Sequence, residues 1–273
     1  MFSASPHPAP PLLFIGGGGH ALTLAESARA GSRPLAGFYD DNHAAALAFK
    51  ARVRHLGTIA DALAALTHAH QSWVTRGGSP RAPDAQHPHP LQQLGYAPLA
   101  IHAAPGHQFL LALGDLAIRA AFLARAADAG VPLDSPVWGV LVHPSASVAS
   151  SARVDPGVSV GPLSIIQAHA RVRAHAIINS GVIVEHDCDI APNCHIAPGV
   201  VLGGTIRVGD AEGPACAAMQ SAPQPPVLVG LGSRVLPNLS IGAGAIVGAG
   251  SVVIGDVARG ETVVGVPAVP VVR

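Results

Sequence analysis

Between Val182 and His195 the chain reads VIVEHDCDIAPNCH, placing His186, Cys188, Cys194 and His195 within fourteen residues. Two imidazoles and two thiols are the donor set of a tetrahedral zinc centre. The same stretch sets Asp187 directly after His186. An imidazole beside a carboxylate is a unit of general base catalysis, in which the acid fixes the tautomer of the base. The choice between these chemistries turns on the direction in which each side chain points.

A repeat in the sequence supplies that direction. From Val142 an aliphatic residue returns at every sixth position: Val148, Val154, Val160, Ile166, Val172, Ile178, Val184, Ile190, Ile196, Leu202 and Val208. Four positions after each stands a second small or apolar residue, among them Ala146, Val158, Ser164, Cys188, Cys194 and Ile206. A six-residue period matches neither the helical 3.6 nor the plain alternation of a strand. It matches a parallel β-helix with one short strand per repeat, three repeats making a triangular coil and coils stacking at about 4.8 Å. The phase resumes at Val229, Val235, Ile241, Val247 and Val253, 21 residues after Val208 where 6 are expected. About 15 residues near DAEGPACAAMQSAPQPP are therefore predicted to bulge from one corner.

By this ruler Cys188 and Cys194 hold the fifth position of their repeats, inward and small, on different strands. His186 at the third position and His195 at the sixth face outward. Four such groups do not converge on one tetrahedral ion, so the cysteines are expected to be core residues and no metal site is expected. Gly204 falls one coil, eighteen residues, above His186 on the same face, and Leu231 and Ala249 are likewise one coil apart.

Upstream, LLFI followed by GGGGHALTLAESARAG reads as strand, glycine loop and helix, and PLAGFYDD as the next strand, ending in Asp40 and Asp41. Glycines there let the backbone approach a ligand closely, and a helix N-terminus can face a phosphate. Gly16-x-Gly18-x-x-Ala21, with an acid about 20 residues on, follows the dinucleotide fingerprint. With the β-helix starting near residue 142, too little chain remains for a full dinucleotide fold, and a truncated nucleotide-binding unit is expected. FLLALGDLAIRAAFLARAADAG reads as a strand, a turn at Gly114 and an amphipathic helix. Residues 67–106, with His68, His70, His87, His89 and His102 among many prolines, read as a flexible surface insertion, with a metal-binding tract as the alternative. Residues 1–11 read as a disordered leader.

Composition narrows the classes further. Lysine plus arginine and aspartate plus glutamate number 16 each, which gives no electrostatic case for nucleic acid or an anionic membrane. Three cysteines make no disulfide framework. No apolar run reaches the roughly 18 residues of a membrane span, so a soluble cytoplasmic protein is the default.

The hexapeptide pattern resembles the left-handed β-helix acyltransferases. INSGVIVEHDCDIAPNCHIAPGVVLGG and VGLGSRVLPNLSIGAGAIVGAGSVV sharpen the likeness, with FIGGGGHA, FYDD, FLLALGD followed by IR, and VGVPA. Together they are similar to the bacterial sugar acetyltransferases that modify sialic acid or nucleotide-linked 4-amino sugars, over most of residues 12–66 and 108–268. The resemblance implies a Rossmann-like nucleotide-sugar-binding domain over 12–136 and a left-handed β-helix over 137–273, the latter with its insertion at about 210–227. It implies a homotrimer with acetyl-CoA between neighbouring β-helices. His186 would be the general base and Asp187 its orienting acid, where the family often has Glu. Gly204 would leave room for the thioester and offer a backbone N–H to the oxyanion. His195 would lie near the acetyl group, and Leu231 and Ala249 along the pantetheine channel. Gly17, Gly19, His20, Asp40 and Asp41 would help bind the nucleotide-sugar. The chain departs from the family at Leu116, often polar there, and at Val269, where a basic residue is common.

The implied activity is acetyl transfer from acetyl-CoA to the amine of a nucleotide-linked amino sugar. O-acetylation of a sialic acid or related sugar uses the same mechanism. A non-catalytic nucleotide-sugar-binding or scaffold protein is the reading from another class. A zinc hydratase on this helix is disfavoured, because His169 and His175 stand one repeat apart on adjacent faces.

Overall fold

The computed structural model describes residues 9–76, 106–209 and 225–271. Most of the leader, most of the histidine-rich tract and nearly all of the bulge after Val208 lie outside the described residues.

Four parallel strands open the chain: β1 (Leu12–Ile15), β2 (Leu35–Tyr39), β3 (His55–Gly57) and β4 (Gln108–Leu111), in the order β3-β2-β1-β4. Residues of β1 alternate between two apolar layers. Leu12 and Phe14 pack with Ala21 and Leu24 of α1 (Gly19–Ala30) and Leu47 of α2 (Ala46–Lys50). Leu13 and Ile15 pack with Leu66 of α3 (Ile59–Thr75) and with Phe122 and Leu123 of α4 (Leu116–Asp128). Burial on both faces is why LLFI is a continuous apolar run. The chain order reverses between β1 and β4, and in doubly wound sheets a ligand crevice opens at the carboxyl ends of strands flanking such a point.

Helix α3 starts with a capping box between Thr58 and Asp61 and runs on through residue 75. The start of the tract read as an insertion is thus helix, anchored where His70 Nδ1 lies 2.9 Å from Ser135 Oγ. Asp115 starts α4, its carboxylate accepting from the N–H groups of Ala117 and Ile118, which accounts for the turn read at Gly114.

The second domain is the β-helix. Two-residue strands run from β5 (Leu141–Val142) to β16 (Arg207–Val208) and from β17 (Leu228–Val229) to β21 (Val252–Val253). The closing strand β22 (Thr262–Val264) pairs antiparallel with β23 (Val269–Pro270). The strands form three parallel faces. One carries β12 (Ile183–Val184), the next β13 (Asp189–Ile190) and the third β14 (His195–Ile196). Every first-position aliphatic from Val154 to Val208 and every fifth-position residue from Ala146 to Ile206 is buried. Ile183 pairs with Ile165 below and Val201 above. Val201 then pairs with Arg234, thirty-three residues on rather than eighteen, so the extra segment leaves the coil register intact.

From Gly157 on, each corner before the extra segment turns through one residue of positive φ, again every sixth position: Gly157, Leu163, His169, His175, Gly181, Asp187, Asn193, Gly199 and Thr205. This left-handed position favours Gly, Asn, Asp and His, and it explains residue choices that the apolar ruler leaves open. The α/β domain sits on the β14 face, where the outward residues Ser159 and Ile177 are buried and Leu141 joins the apolar layer of α1. Among the described residues no helix is long and apolar enough to cross a membrane.

Candidate active site

The corner between the β12 and β13 faces carries the first group. His186 follows β12, and its side chain is 59% exposed. Its Nδ1 lies 2.8 Å from Asp187 Oδ2, so the shorter acid reaches the ring. Adjoining coils fix this corner: Asp187 N donates to Ala168 O at 3.0 Å and Thr205 N to His186 O at 2.8 Å. With Nδ1–H donated to the carboxylate, the imidazole lone pair sits on Nε2. Gly204 lies against that nitrogen. A Cβ added at Gly204 would fall 2.6 Å from Nε2 and 2.7 Å from Cε1, so glycine keeps this side of the base clear.

The cysteines point away from this corner, into the coil. Cys188 Sγ donates to Gly203 O at 3.1 Å, and Cys194 Sγ lies 4.0 Å from Val208 O. Ser164 and Ser233, at equivalent inward positions, donate to Asn179 O and Gly248 O in the same way. Burial pushes the thiols up to about 11 and about 12, respectively, so they stay protonated. The two cysteines are core donors, as their phase in the repeat implies.

The second group lies at the crevice between β1 and β4. Gly18 and Gly19 are exposed, with open space where a side chain would stand. Helix α1 has no side-chain cap and no acid in its first turn. His20, in that turn, lies 6.4 Å between ring centroids from His195 of β14. His195 Nε2 is 3.3 Å from Asn179 Nδ2, while His20 Nε2 is buried without a partner among the described residues. Burial first, then the nearby Arg119 guanidinium, lowers both imidazoles to about 4, so both are neutral at neutral pH.

Of the remaining residues assigned to the nucleotide-sugar, Gly17 and Asp40 build the loop from behind and Asp41 caps the neighbouring helix start. Gly17 is buried, and a Cβ there would meet the Phe38 ring at 2.5 Å. Asp40 accepts from Gly17 N at 2.7 Å and Asn42 N at 2.8 Å, and Asp41 accepts from Ile59 N at 2.9 Å. Leu231 and Ala249 are exposed on the corner between the β14 and β12 faces, where Gly250 N donates to Leu231 O.

Two residues at the crevice escaped the sequence reading. Asn179 follows the strand Ile177–Ile178, and Ile177 pairs with His195, so the repeat itself places it beside that histidine. Arg119 is buried between the domains. It donates to Leu111 O and Leu113 O in its own domain and to Asn193 Oδ1 and His175 O in the β-helix. Its signal is its place on the apolar stripe of α4, at helical spacing from Phe122, Leu123 and Ala126. His175, at a corner of the coil, is fully buried: its ring stands edge-on to Trp138 at 4.5 Å and its Nε2 lies 3.0 Å from Leu133 O. The α/β domain covers that corner of the helix.

The two groups do not meet within one chain. In a triangular coil, the corner between the β12 and β13 faces lies opposite the β14 face, so His186 and His195 look out on opposite sides.

The fold, a left-handed parallel β-helix with a Rossmann-like domain at its N-terminal end, is that of acetyltransferases of known structure. Over nearly its whole length the chain is similar to acetyltransferases of known structure. A variant of GDP-perosamine N-acetyltransferase from Caulobacter crescentus, solved with CoA and GDP-perosamine, is 28% identical with a TM-score of 0.67, over 96% of this chain and 97% of that one. The acetyltransferase domain of PglB from Neisseria gonorrhoeae, solved with acetyl coenzyme A, is 26% identical with a TM-score of 0.66, over 96% of this chain and all of that one. A serine acetyltransferase of Buchnera aphidicola is 50% identical over 42 residues, a segment spanning 15% of this chain and 15% of that protein. No protein-family model matches the chain.

Proposed function

We propose that the protein transfers the acetyl group of acetyl-CoA to the amine of a nucleotide-linked amino sugar, in a homotrimer whose sites lie between neighbouring chains. The observation that carries this reading is the His186–Asp187 pair, with Nδ1 held at 2.8 Å and Nε2 facing the space that Gly204 leaves open. The similar structures solved with CoA and GDP-perosamine favour an amine as the nucleophile and a nucleotide as its carrier.

In this mechanism the amine nitrogen attacks the thioester carbonyl while His186 Nε2 takes its proton. Asp187 stabilises the imidazolium as it forms. The carbonyl oxygen becomes an oxyanion beside the Gly204 backbone. Collapse of the intermediate breaks the carbon–sulfur bond, and the proton on His186 passes to the departing CoA thiolate. The amide and free CoA result. The nucleotide part of the acceptor sits at the crevice, its phosphate against the uncapped start of α1 at Gly18 and Gly19. Neutral His20 and His195 flank the sugar and the acetyl group, while Gly17 and Asp40 hold the glycine loop in shape and Asp41 fixes the start of α3. Leu231 and Ala249 give the pantetheine arm an apolar edge.

Two half-sites facing away from one another in one chain need a second copy to complete either, and this supports the trimer. The test is release of CoA thiol during incubation with a panel of nucleotide 4-amino sugars and free sialic acids. Turnover with an amino sugar that falls by about 10²–10⁴ in His186→Ala is expected. Near-normal turnover in that variant removes His186 from its role, and transfer to sialic acids alone replaces the amine with a hydroxyl.

A further inference from the structure

Arg119 carries a charge for which the core has no evident use. It stands on the buried stripe of α4 with Phe122, Leu123 and Ala126 and is 1% exposed. Burying a guanidinium is costly unless an acid meets it. Among the described residues none does: it donates to the carbonyl oxygens of Leu111, Leu113 and His175 and to the side-chain oxygen of Asn193. Burial lowers it only to about 10, so it keeps its charge at neutral pH. An apolar residue at this place would join the two domains without that cost.

The guanidinium grips the frame of the crevice. On one side it holds Leu111 O at 3.1 Å and Leu113 O at 3.2 Å, at the carboxyl end of β4. That turn packs into the glycine loop: a Cβ at Gly16 would meet the Leu113 side chain at 2.8 Å, and one at Gly114 would stand 3.5 Å from His20 Cβ. On the other side it holds His175 O at 2.7 Å and Asn193 Oδ1 at 3.0 Å, at corners of two successive coils. These corners lead into the strands Ile177–Ile178 and His195–Ile196, beside which Asn179 and His195 stand. An unbroken line of contacts thus runs from His20 through Gly114 and Arg119 to Asn193 and His195, and it ends in two rings 6.4 Å apart. His20 Nε2 is buried with no partner among the described residues, so the ring depends on this frame for its place. A planar fork with five N–H donors can reach both domains at once, whereas a point charge cannot.

We propose that Arg119 is a positioning residue for the acceptor: its fork sets the crevice of the first domain on the β14 corner of the coil and so holds His20 against His195. The role rests on the acetyl-transfer reading, in which the acceptor lies at this crevice. It separates the two substrates. His20 moves with the first domain, whereas His186, His195 and Gly204 belong to the coil. Loss of the fork frees the first domain, so the seat of the acceptor suffers and that of acetyl-CoA does not. Electrostatics adds a second mark: after burial, the Arg119 charge is the next cause that lowers His20 and His195, with His195 acting on His20 as well.

The test uses the full chain with Arg119→Met, Arg119→Lys and Asn193→Gly, each below its melting temperature. Asn193→Gly removes one anchor on the coil side and keeps the φ of 55° that the corner needs, so it serves where Arg119→Met does not fold. Arg119→Met is expected to raise KM for the amino-sugar acceptor by about tenfold and Asn193→Gly by about threefold, with KM for acetyl-CoA within about twofold of wild type. Arg119→Lys, which keeps the charge and loses the fork, is expected to fall between wild type and Arg119→Met. An unchanged acceptor KM in the folded variants, or both KM values raised alike, would overturn the proposal. Titration of His20 and His195 by NMR, with resonances assigned through His20→Gln and His195→Gln, needs no substrate. Both rings are expected to titrate above the wild-type value of about 4 in Arg119→Met, or in Asn193→Gly where the first does not fold, because the nearby charge is gone or the crevice is open to water. Titration at the wild-type value in that folded variant refutes the positioning role. Because no transfer is measured, this result stands even if no amino sugar is turned over and the acetyl-transfer reading fails.

Discussion

Gly204→Ala isolates the geometry of the base from the stability of the fold. The added Cβ would stand 2.6 Å from His186 Nε2, against an ordinary carbon contact of about 3.5–4.0 Å. The ring therefore has to withdraw by about 1 Å. It is free to do so, because the side chain is 59% exposed, but the movement strains the 2.8 Å contact to Asp187 and carries Nε2 away from the acceptor. A displacement of that size at a reacting group costs about 10²-fold in rate, and full loss of the base up to about 10⁴. The backbone gives no reason for instability, since Gly204 is not among the positive-φ glycines, and removing a glycine restricts the unfolded chain by about 0.4–1 kcal/mol. The expected result is a kcat lowered by about 10²–10⁴ with a melting temperature within a few degrees of wild type. Thiol release and thermal melting measure the two quantities. A Gly204→Ala enzyme with wild-type kcat would refute the placement of the reacting atoms beside Gly204.

Gly157→Ala is the contrasting case: its φ is +77° and its Cβ would meet the buried His175 ring at 2.3 Å, so a loss of about 2–4 kcal/mol is expected in denaturant melts. Cys188→Ala or Cys194→Ala should cost about 1–3 kcal/mol and leave turnover largely intact; bound zinc that disappears in the double variant would contradict the core assignment. Stability should fall as pH drops from about 6.5 to 4. Burial holds His20 and His195 at about 4 and His175 at about 3, against 6.5 when unfolded. The unfolded chain therefore binds about three more protons in that window, and the slope is about 3–4 kcal/mol per pH unit near pH 5. A melting temperature flat between pH 6.5 and 5 would contradict the burial of these rings.

The β-helix was legible because one period governs every inward position. An apolar residue at the first place and a small one at the fifth leave no freedom in how Cys188, Cys194, His186 and Gly204 are arranged. The four strands of the first domain were partly legible from the alternation of glycine loop, helix and apolar run. Most of what stayed hidden depends on contacts between the two domains. Arg119 reads as an ordinary helix arginine until Asn193 and His175 of the β-helix close over it. His175 occupies a corner of the coil, and nothing local in the sequence shows that Trp138 of the segment before the coil stands edge-on to it. Within the first domain, Asp40 accepts from Gly17 N and Asn42 N and Asp41 from Ile59 N at the start of α3, bonds that the acidic pair alone does not show. Short-range pattern carries the coil, whereas the contacts of Arg119 and His175 join residues far apart in the chain, for which the sequence has no comparable ruler.

Subunit mixing tests whether the two half-sites act together. His186 looks out from one corner of the coil and His195 from the face opposite it, so a site that uses both joins two copies through unlike surfaces. Such a heterologous contact closes a ring when repeated around an axis. His186→Ala and His195→Ala are each expected to be nearly inactive alone. Co-expressed in equal amounts, they assemble at random, and a site is intact when the copy giving His186 and the copy giving His195 each carry the change in the other half. Each condition is met about half the time, so about one site in four recovers in a ring closed by such contacts. Activity near a quarter of wild type in the mixture, against almost none in either variant, is the expected result. If base and crevice served one substrate within a single chain, every chain in the mixture would lack one of them and mixing would restore nothing. A His195→Ala enzyme that turns over normally on its own would remove the crevice histidine from the reaction and leave His186 to act without it.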